Sequence, residues 1–127
     1  MQSTILSIVG FILGLIYFYQ QHRLNIARLE FDLRKEFNSR FNTINDLLYD
    51  IINSNGPLSP TEIKTLNDYL DLCSEEFYYY KKGYVHRDLW NTWRNGMLFY
   101  FKNPRLSSHI VNELKNNDYH NLISVIS

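Results

Sequence analysis

Apolar and polar positions divide this chain into two unequal regimes. From Ile5 to Tyr19 the sequence ILSIVGFILGLIYFY is almost wholly apolar, and no Asp, Glu, Lys, Arg or His occurs from Met1 to Gln21. Twenty helical residues cover roughly 30 Å, the hydrocarbon thickness of a bilayer. The pattern therefore predicts a transmembrane helix over residues 1–21. Gln2, Ser3, Thr4, Gln20 and Gln21 mark its polar ends, with Tyr17 and Tyr19 as an aromatic belt on one side. No basic residue precedes the run and no small-x-small site follows it, unlike a secretory signal peptide. Nothing else in the chain is apolar enough to bury such a helix on all sides.

Beyond residue 21 the period changes to that of amphipathic helices. Ile26, Leu29, Leu33, Phe37, Phe41, Ile44, Leu48 and Ile51 recur every three or four positions, predicting one long cytoplasmic helix over 22–53. No Gly or Pro interrupts Leu15–Asn53, so this helix continues the membrane helix as a rod. Glu30 with Arg34 and Glu36 with Arg40 are spaced for i,i+4 ion pairs. Asn53–Leu58 has turn composition. Ser59-Pro-Thr-Glu62 then supplies an N-cap, a proline at the first helical position and the glutamate of a capping box. Ile63, Leu66, Leu70, Cys73, Phe77 and Tyr80 form the apolar stripe of that helix, and Lys81-Lys82-Gly83 its stop. A third helix is predicted over His86–Lys102, buried through Leu89, Trp90, Trp93, Met97 and Tyr100 or Phe101, and ended by Pro104. Leu106, Ile110, Val111 and Leu114 mark a fourth helix, starting near Arg105, and Tyr119–Ile126 a short fifth. No stretch alternates with period two. The expected fold is all-α, with the remaining helices of a small cytoplasmic bundle in 54–127.

Within the membrane segment one face is distinct. Ser3, Ser7, Gly10 and Gly14 recur at steps of four, three and four, and the same rhythm reaches Tyr17 and Gln21. Gly10 and Gly14 form a G-x-x-x-G match, the spacing that lets transmembrane backbones approach closely. This stripe predicts packing against copies of the same helix, or a face turned to water in a pore. His22, Arg23, Arg28, Arg34, Lys35 and Arg40 follow the apolar run, which places the N-terminus outside and the rest in the cytoplasm. The lone Cys73 suits a reducing compartment.

Composition narrows the function classes. Thirteen basic and thirteen acidic residues balance, giving no net pull toward nucleic acid or anionic lipid. No P-loop, dinucleotide fingerprint, nucleophile elbow or metal-spaced Cys/His cluster is present, so no metal, cofactor or small-molecule substrate is expected. Glu75 and Glu76 occupy adjacent helical positions and diverge, which reads as solvated surface. The aromatic and basic residues from Tyr78 to Arg105, including Lys81, Lys82, Arg87, Trp90, Trp93 and Arg94, offer stacking for single-stranded RNA. Most of those aromatics nevertheless fall at core spacing.

One constellation carries candidate chemistry. With helix four starting near Arg105, Arg105 and His109 lie one turn apart at its positive end, where a cation and an imidazole can bind phosphate and move a proton. This resembles the Arg–His signature of the HEPN superfamily, all-α domains that include many ribonucleases of bacterial defence systems. Only three residues separate Arg105 from His109, fewer than in that signature, and Leu106 replaces its polar residue. A degenerate, structural pair is the expected reading, and the protein is not expected to be an enzyme.

The overall plan also resembles a known group. The short membrane helix, the long helix after it, Glu75-Glu76-Phe77 before Lys81-Lys82-Gly83, Trp90-x-x-Trp93-x-x-Gly96, and Asn103-Pro104 are similar to small single-pass bacterial membrane proteins. Among these the chain looks most like the HEPN-like transmembrane accessory proteins of type VI-B CRISPR systems. The resemblance implies a homo-oligomeric inner-membrane pore of roughly six or more copies. It also implies antiviral action by membrane depolarisation, with an RNA-guided nuclease or its RNA as partner. Two other expectations stand beside it: a membrane-tethered helical binding or scaffold module, and a membrane-bound HEPN-type ribonuclease using Arg105 and His109.

Overall fold

The computed structural model describes residues 2–126, and over them the chain is helical with no strand. Helix α1 runs unbroken over Gln2–Asn53, about 78 Å at 1.5 Å per residue. The predicted membrane helix and the predicted cytoplasmic helix are therefore one rod. Its two halves live in different surroundings. Ile5, Leu6, Phe11, Leu13 and Phe18 are exposed on every side, and none of the most apolar stretch is buried. Farther along, Leu33, Phe37, Leu48 and Ile51 are buried against the bundle. Among the described residues, α1 is the one helix long and apolar enough to cross a membrane.

Helix α2, Pro60–Lys81, forms as its sequence dictates. The Ser59 hydroxyl accepts from the Glu62 amide at 3.1 Å while the Glu62 carboxylate accepts from the Ser59 amide at 2.9 Å. At the other end Gly83 adopts φ +82°, and the Tyr84 amide reaches back to the Tyr79 carbonyl. Such a left-handed cap satisfies carbonyls that the last turn leaves open. Helix α2 is the centre of the bundle, packing on α1, on α3 and on the C-terminal segment. Leu66, Tyr69, Leu70, Leu72 and Cys73 are all buried there.

Helix α3 is Arg87–Phe101, with His86 as N-cap, and it buries Leu89, Trp90, Met97, Tyr100 and Phe101. Its start is tied to the rod, since the His86 amide donates to the Glu30 carboxylate at 2.9 Å. Trp90 stacks on both Phe77 and Tyr80, with ring centroids 5.2 and 4.8 Å away. The tryptophan is thus core, as its spacing indicates.

Two expectations about the C-terminal part need correction. Helix α4 is Ser107–Asn116, so Arg105 lies before the helix rather than in its first turn. The segment after it, Tyr119–Val125, is a 3-10 helix rather than an α-helix. Tyr119, His120 and Asn121 have positive φ, which breaks the 3.6-residue repeat that Leu122 and Ile126 alone suggest. Its buried Leu122 and Val125 close the bundle against α2.

Candidate functional site

The bundle grips α1 from Ile26, Leu29 and Glu30 onward and leaves the earlier residues exposed. Ser3, Ser7, Gly10, Gly14, Tyr17 and Gln21 all lie on this free part. A Cβ added at Gly10 or Gly14 would meet nothing within 4 Å, so neither glycine is needed for packing inside the monomer. The Ser7 hydroxyl donates to the Ser3 carbonyl at 2.9 Å, which satisfies it within the helix.

The stripe does not stop at the end of the apolar run. Its four-three rhythm continues through Leu24, Arg28 and Phe31, all exposed. At about 100° per residue, this seam lies roughly 160° around the axis from Leu33, Phe37, Ile44, Leu48 and Ile51, which hold the bundle. The rod therefore carries its bundle on one side and an unoccupied seam on the other. A strict four-three repeat averages 3.5 residues per turn, the spacing of helices that supercoil left-handedly about one another. By residue type alone the stripe runs as far as Gln21. The continued spacing was present, but only the placement of the bundle leaves those positions free.

A second feature went unread. Glu76 is 7 % exposed and lies with Tyr69 and Cys73 on the buried side of α2, not on solvated surface. The signal was its position: residues 69, 73, 76 and 80 continue the apolar stripe of α2. The two adjacent glutamates do diverge. Glu75 takes Arg40 of α1 as its ion-pair partner, whereas the Glu76 carboxyl has no hydrogen-bond or ion-pair partner among the described residues. Burial pushes the Glu76 carboxyl up to about 8; the Arg40 charge opposes this and the Glu75 charge adds to it. Glu76 lines a pocket of about 200 Å³ together with Phe37, Asn38 and Phe41 of α1, Tyr69 of α2, and Thr92, Trp93 and Gly96 of α3.

Arg40 also settles an expectation about α1. Glu30 and Arg34 meet at 3.4 Å as their spacing predicts. The Glu36–Arg40 pair is not formed, because Arg40 crosses to α2 and lies over the Phe37 ring at 5.3 Å.

Arg105 and His109 turn to separate partners. The Arg105 guanidinium binds both oxygens of Glu62, at 2.9 and 3.2 Å, and donates to the Ile51 carbonyl at 2.6 Å and the Gly56 carbonyl at 3.2 Å. His109 Nε2 lies 2.9 Å from Asn67 Oδ1. Arg105 thus joins the end of α1, the 53–59 turn and the start of α2, with its donors occupied. Among the described residues, no group of His, Cys, Asp or Glu is arranged to hold a metal ion.

Comparison of the chain with protein-family models, with curated proteins and with solved structures finds no match.

Proposed function

We propose that this protein assembles through the seam of α1 into a membrane-embedded homo-oligomer whose N-terminal helices line a pore. The observation that carries this reading is the opposition of two faces on one unbroken helix. The bundle occupies one side of α1; on the other, Ser3 to Gln21 present a largely small and polar seam that Leu24, Arg28 and Phe31 continue. Copies that meet along the seam keep their bundles outside the contact, so assembly meets no steric obstacle from the folded domain. Glycines without an intramolecular role give close backbone approach in lipid, where small residues drive helix association.

In this reading the N-terminus lies outside and the bundle inside, held by the basic residues that follow Gln21. The resemblance to type VI-B CRISPR accessory proteins extends it to an antiviral effector of the bacterial inner membrane, opened in concert with an RNA-guided nuclease. Arg105 serves the bundle as a clasp and is assigned no chemistry.

The test is the mass of the full chain in detergent or nanodiscs, by light scattering, for wild type, Gly10→Leu and Ile12→Phe. Ile12 lies on the bundle side of the rod. A discrete oligomer of roughly six or more copies, lost in Gly10→Leu and kept in Ile12→Phe, is expected, with conductance following the same order. A monomer or dimer indifferent to Gly10→Leu overturns the proposal.

A further inference from the structure

The Glu76 pocket lies outside the seam and stands independently of assembly. Its wall combines three features that bear on a ligand. Glu76 is 7 % exposed as a residue, and its carboxyl takes no hydrogen bond from the fold, yet neither oxygen is sealed from solvent, so the carboxyl is open to a ligand. The rings of Phe37, Phe41 and Trp93 line the same pocket; aromatic faces attract cations, as the Arg40 guanidinium over Phe37 at 5.3 Å already shows. Gly96, in the interior of α3, completes the lining, and a Cβ there would meet nothing within 4 Å. A glycine inside a helix costs about 1 kcal/mol relative to alanine, and here it gives no close packing in return. Gly96 is exposed, so its missing side chain leaves that side of the pocket lining open to solvent.

We propose that this pocket is a receptor site for a small organic cation, an alkylammonium or alkylguanidinium, held by the Glu76 carboxylate among the rings of Phe37, Phe41 and Trp93. The charge balance favours a cation. Arg40 is the charge that faces Glu76 from α1, and it is bound to Glu75. From α2 come Glu75, Tyr69 and Cys73, while Thr92, Trp93 and Gly96 of α3 are uncharged. Once Glu76 is ionised, two carboxylates share one guanidinium, and a bound cation supplies the second counter-charge. The size fits a compact ligand, since the pocket holds about 200 Å³. Drug-sized ligands occupy larger clefts, of about 300 Å³ upward. Phe37 stands sixteen residues beyond Gln21, about 24 Å along the rod, so a lipid headgroup at the membrane surface does not reach it.

Binding is coupled to a proton. With its carboxyl raised to about 8, Glu76 is mostly neutral at pH 7 and must ionise to pair with the ligand. The proton leaves to solvent, and the ammonium or guanidinium takes its place. Calorimetry on the full chain in nanodiscs tests this with tetramethylammonium, butylammonium and methylguanidinium, against the neutral butanol and methylurea. At least one cation is expected to bind, with close to one proton released per cation at pH 7. Its affinity should fall about tenfold per pH unit below 8. Glu76→Gln should weaken binding at least about tenfold and abolish the proton release. Gly96→Leu should block the pocket while leaving the charge in place. Equal binding of cations and neutral analogues overturns the proposal, as does unchanged binding in Glu76→Gln. So does the absence of binding by wild type up to about 10 mM at pH 8.5, where Glu76 is ionised.

Discussion

Arg105 and Glu62 form a two-pronged ion pair that ties the chain between α3 and α4 to the first turn of α2, with nitrogen-to-oxygen distances of 2.9 and 3.2 Å. The same guanidinium takes up the carbonyls of Ile51 and Gly56, so one side chain fixes the corner where the rod turns into the bundle. The carboxylate has two duties, since it also closes the capping box with Ser59. Planar, forked geometry makes this a position for arginine and not for lysine.

Removing the fork should loosen that corner. Arg105→Ala is expected to lower the thermal midpoint of the bundle by several degrees, and Arg105→Lys to recover only part of the loss. His109→Ala, which gives up a single contact with Asn67, should shift it less. Thermal melts of the three variants in one detergent check the ranking, and equal effects for Arg105→Ala and His109→Ala would contradict the clasp.

Acid should act through the same carboxylate. The Arg105 side-chain hydrogen bonds, followed by the Ser59 backbone amide, hold the Glu62 carboxyl down at about 2. A depressed folded pKa means a contribution that is complete above the ordinary carboxyl range and fades as pH falls toward 2. Glu62→Gln should therefore melt below wild type at pH 6 and approach it near pH 2. Melting curves across that window decide.

Glu76 has the opposite sign. Its folded pKa, raised to about 8, means that the unfolded chain ionises first as pH rises from the ordinary carboxyl value of 4.5. The unfolded state then binds fewer protons, so stability declines through that window and levels off above 8. Glu76→Gln should remove the decline and exceed wild type at pH 8 by on the order of a few kcal/mol. Denaturant titrations of both proteins at pH 5 and pH 8 test the sign. A wild type equally stable at both would show that the carboxyl is not buried as described.

The seam beyond the apolar stretch makes a separate prediction. Leu24 and Phe31 are 51 % and 66 % exposed and belong to no core contact, whereas Leu33, two residues past Phe31, is 5 % exposed. Leu24→Glu with Phe31→Glu should dissolve the proposed assembly and leave the bundle's melting unchanged. Leu33→Glu should unfold the bundle outright, because it buries a charge without a partner. Mass and melting, measured on the same samples, separate the two outcomes.

Cys73 offers an internal reporter for all these variants. It is fully buried, and burial pushes its thiol well above the ordinary range. Alkylation in the native protein should run at least about a hundredfold slower than in denaturant. A fast-reacting thiol would mark a variant whose bundle has opened.

How much of this was legible beforehand depends on the distance over which each feature is decided. The amino-acid sequence alone determines the helices, because an apolar repeat, a capping box and a Gly stop act within one or two turns. It determines the unbroken rod as well, since nothing between Leu15 and Asn53 can break a helix. It marks the apolar stretch of bilayer length and the small stripe within it. The tertiary structure decides the rest. Arg40 has Glu36 one turn away yet pairs with Glu75, 35 positions along, and Arg105 finds Glu62 across 43. Glu75 and Glu76 look alike as letters, but packing against α1 and α3 exposes one to Arg40 and encloses the other among aromatic rings. Local periodicity states which face of a helix is apolar; only the docking of the other helices determines which face is covered and which remains free.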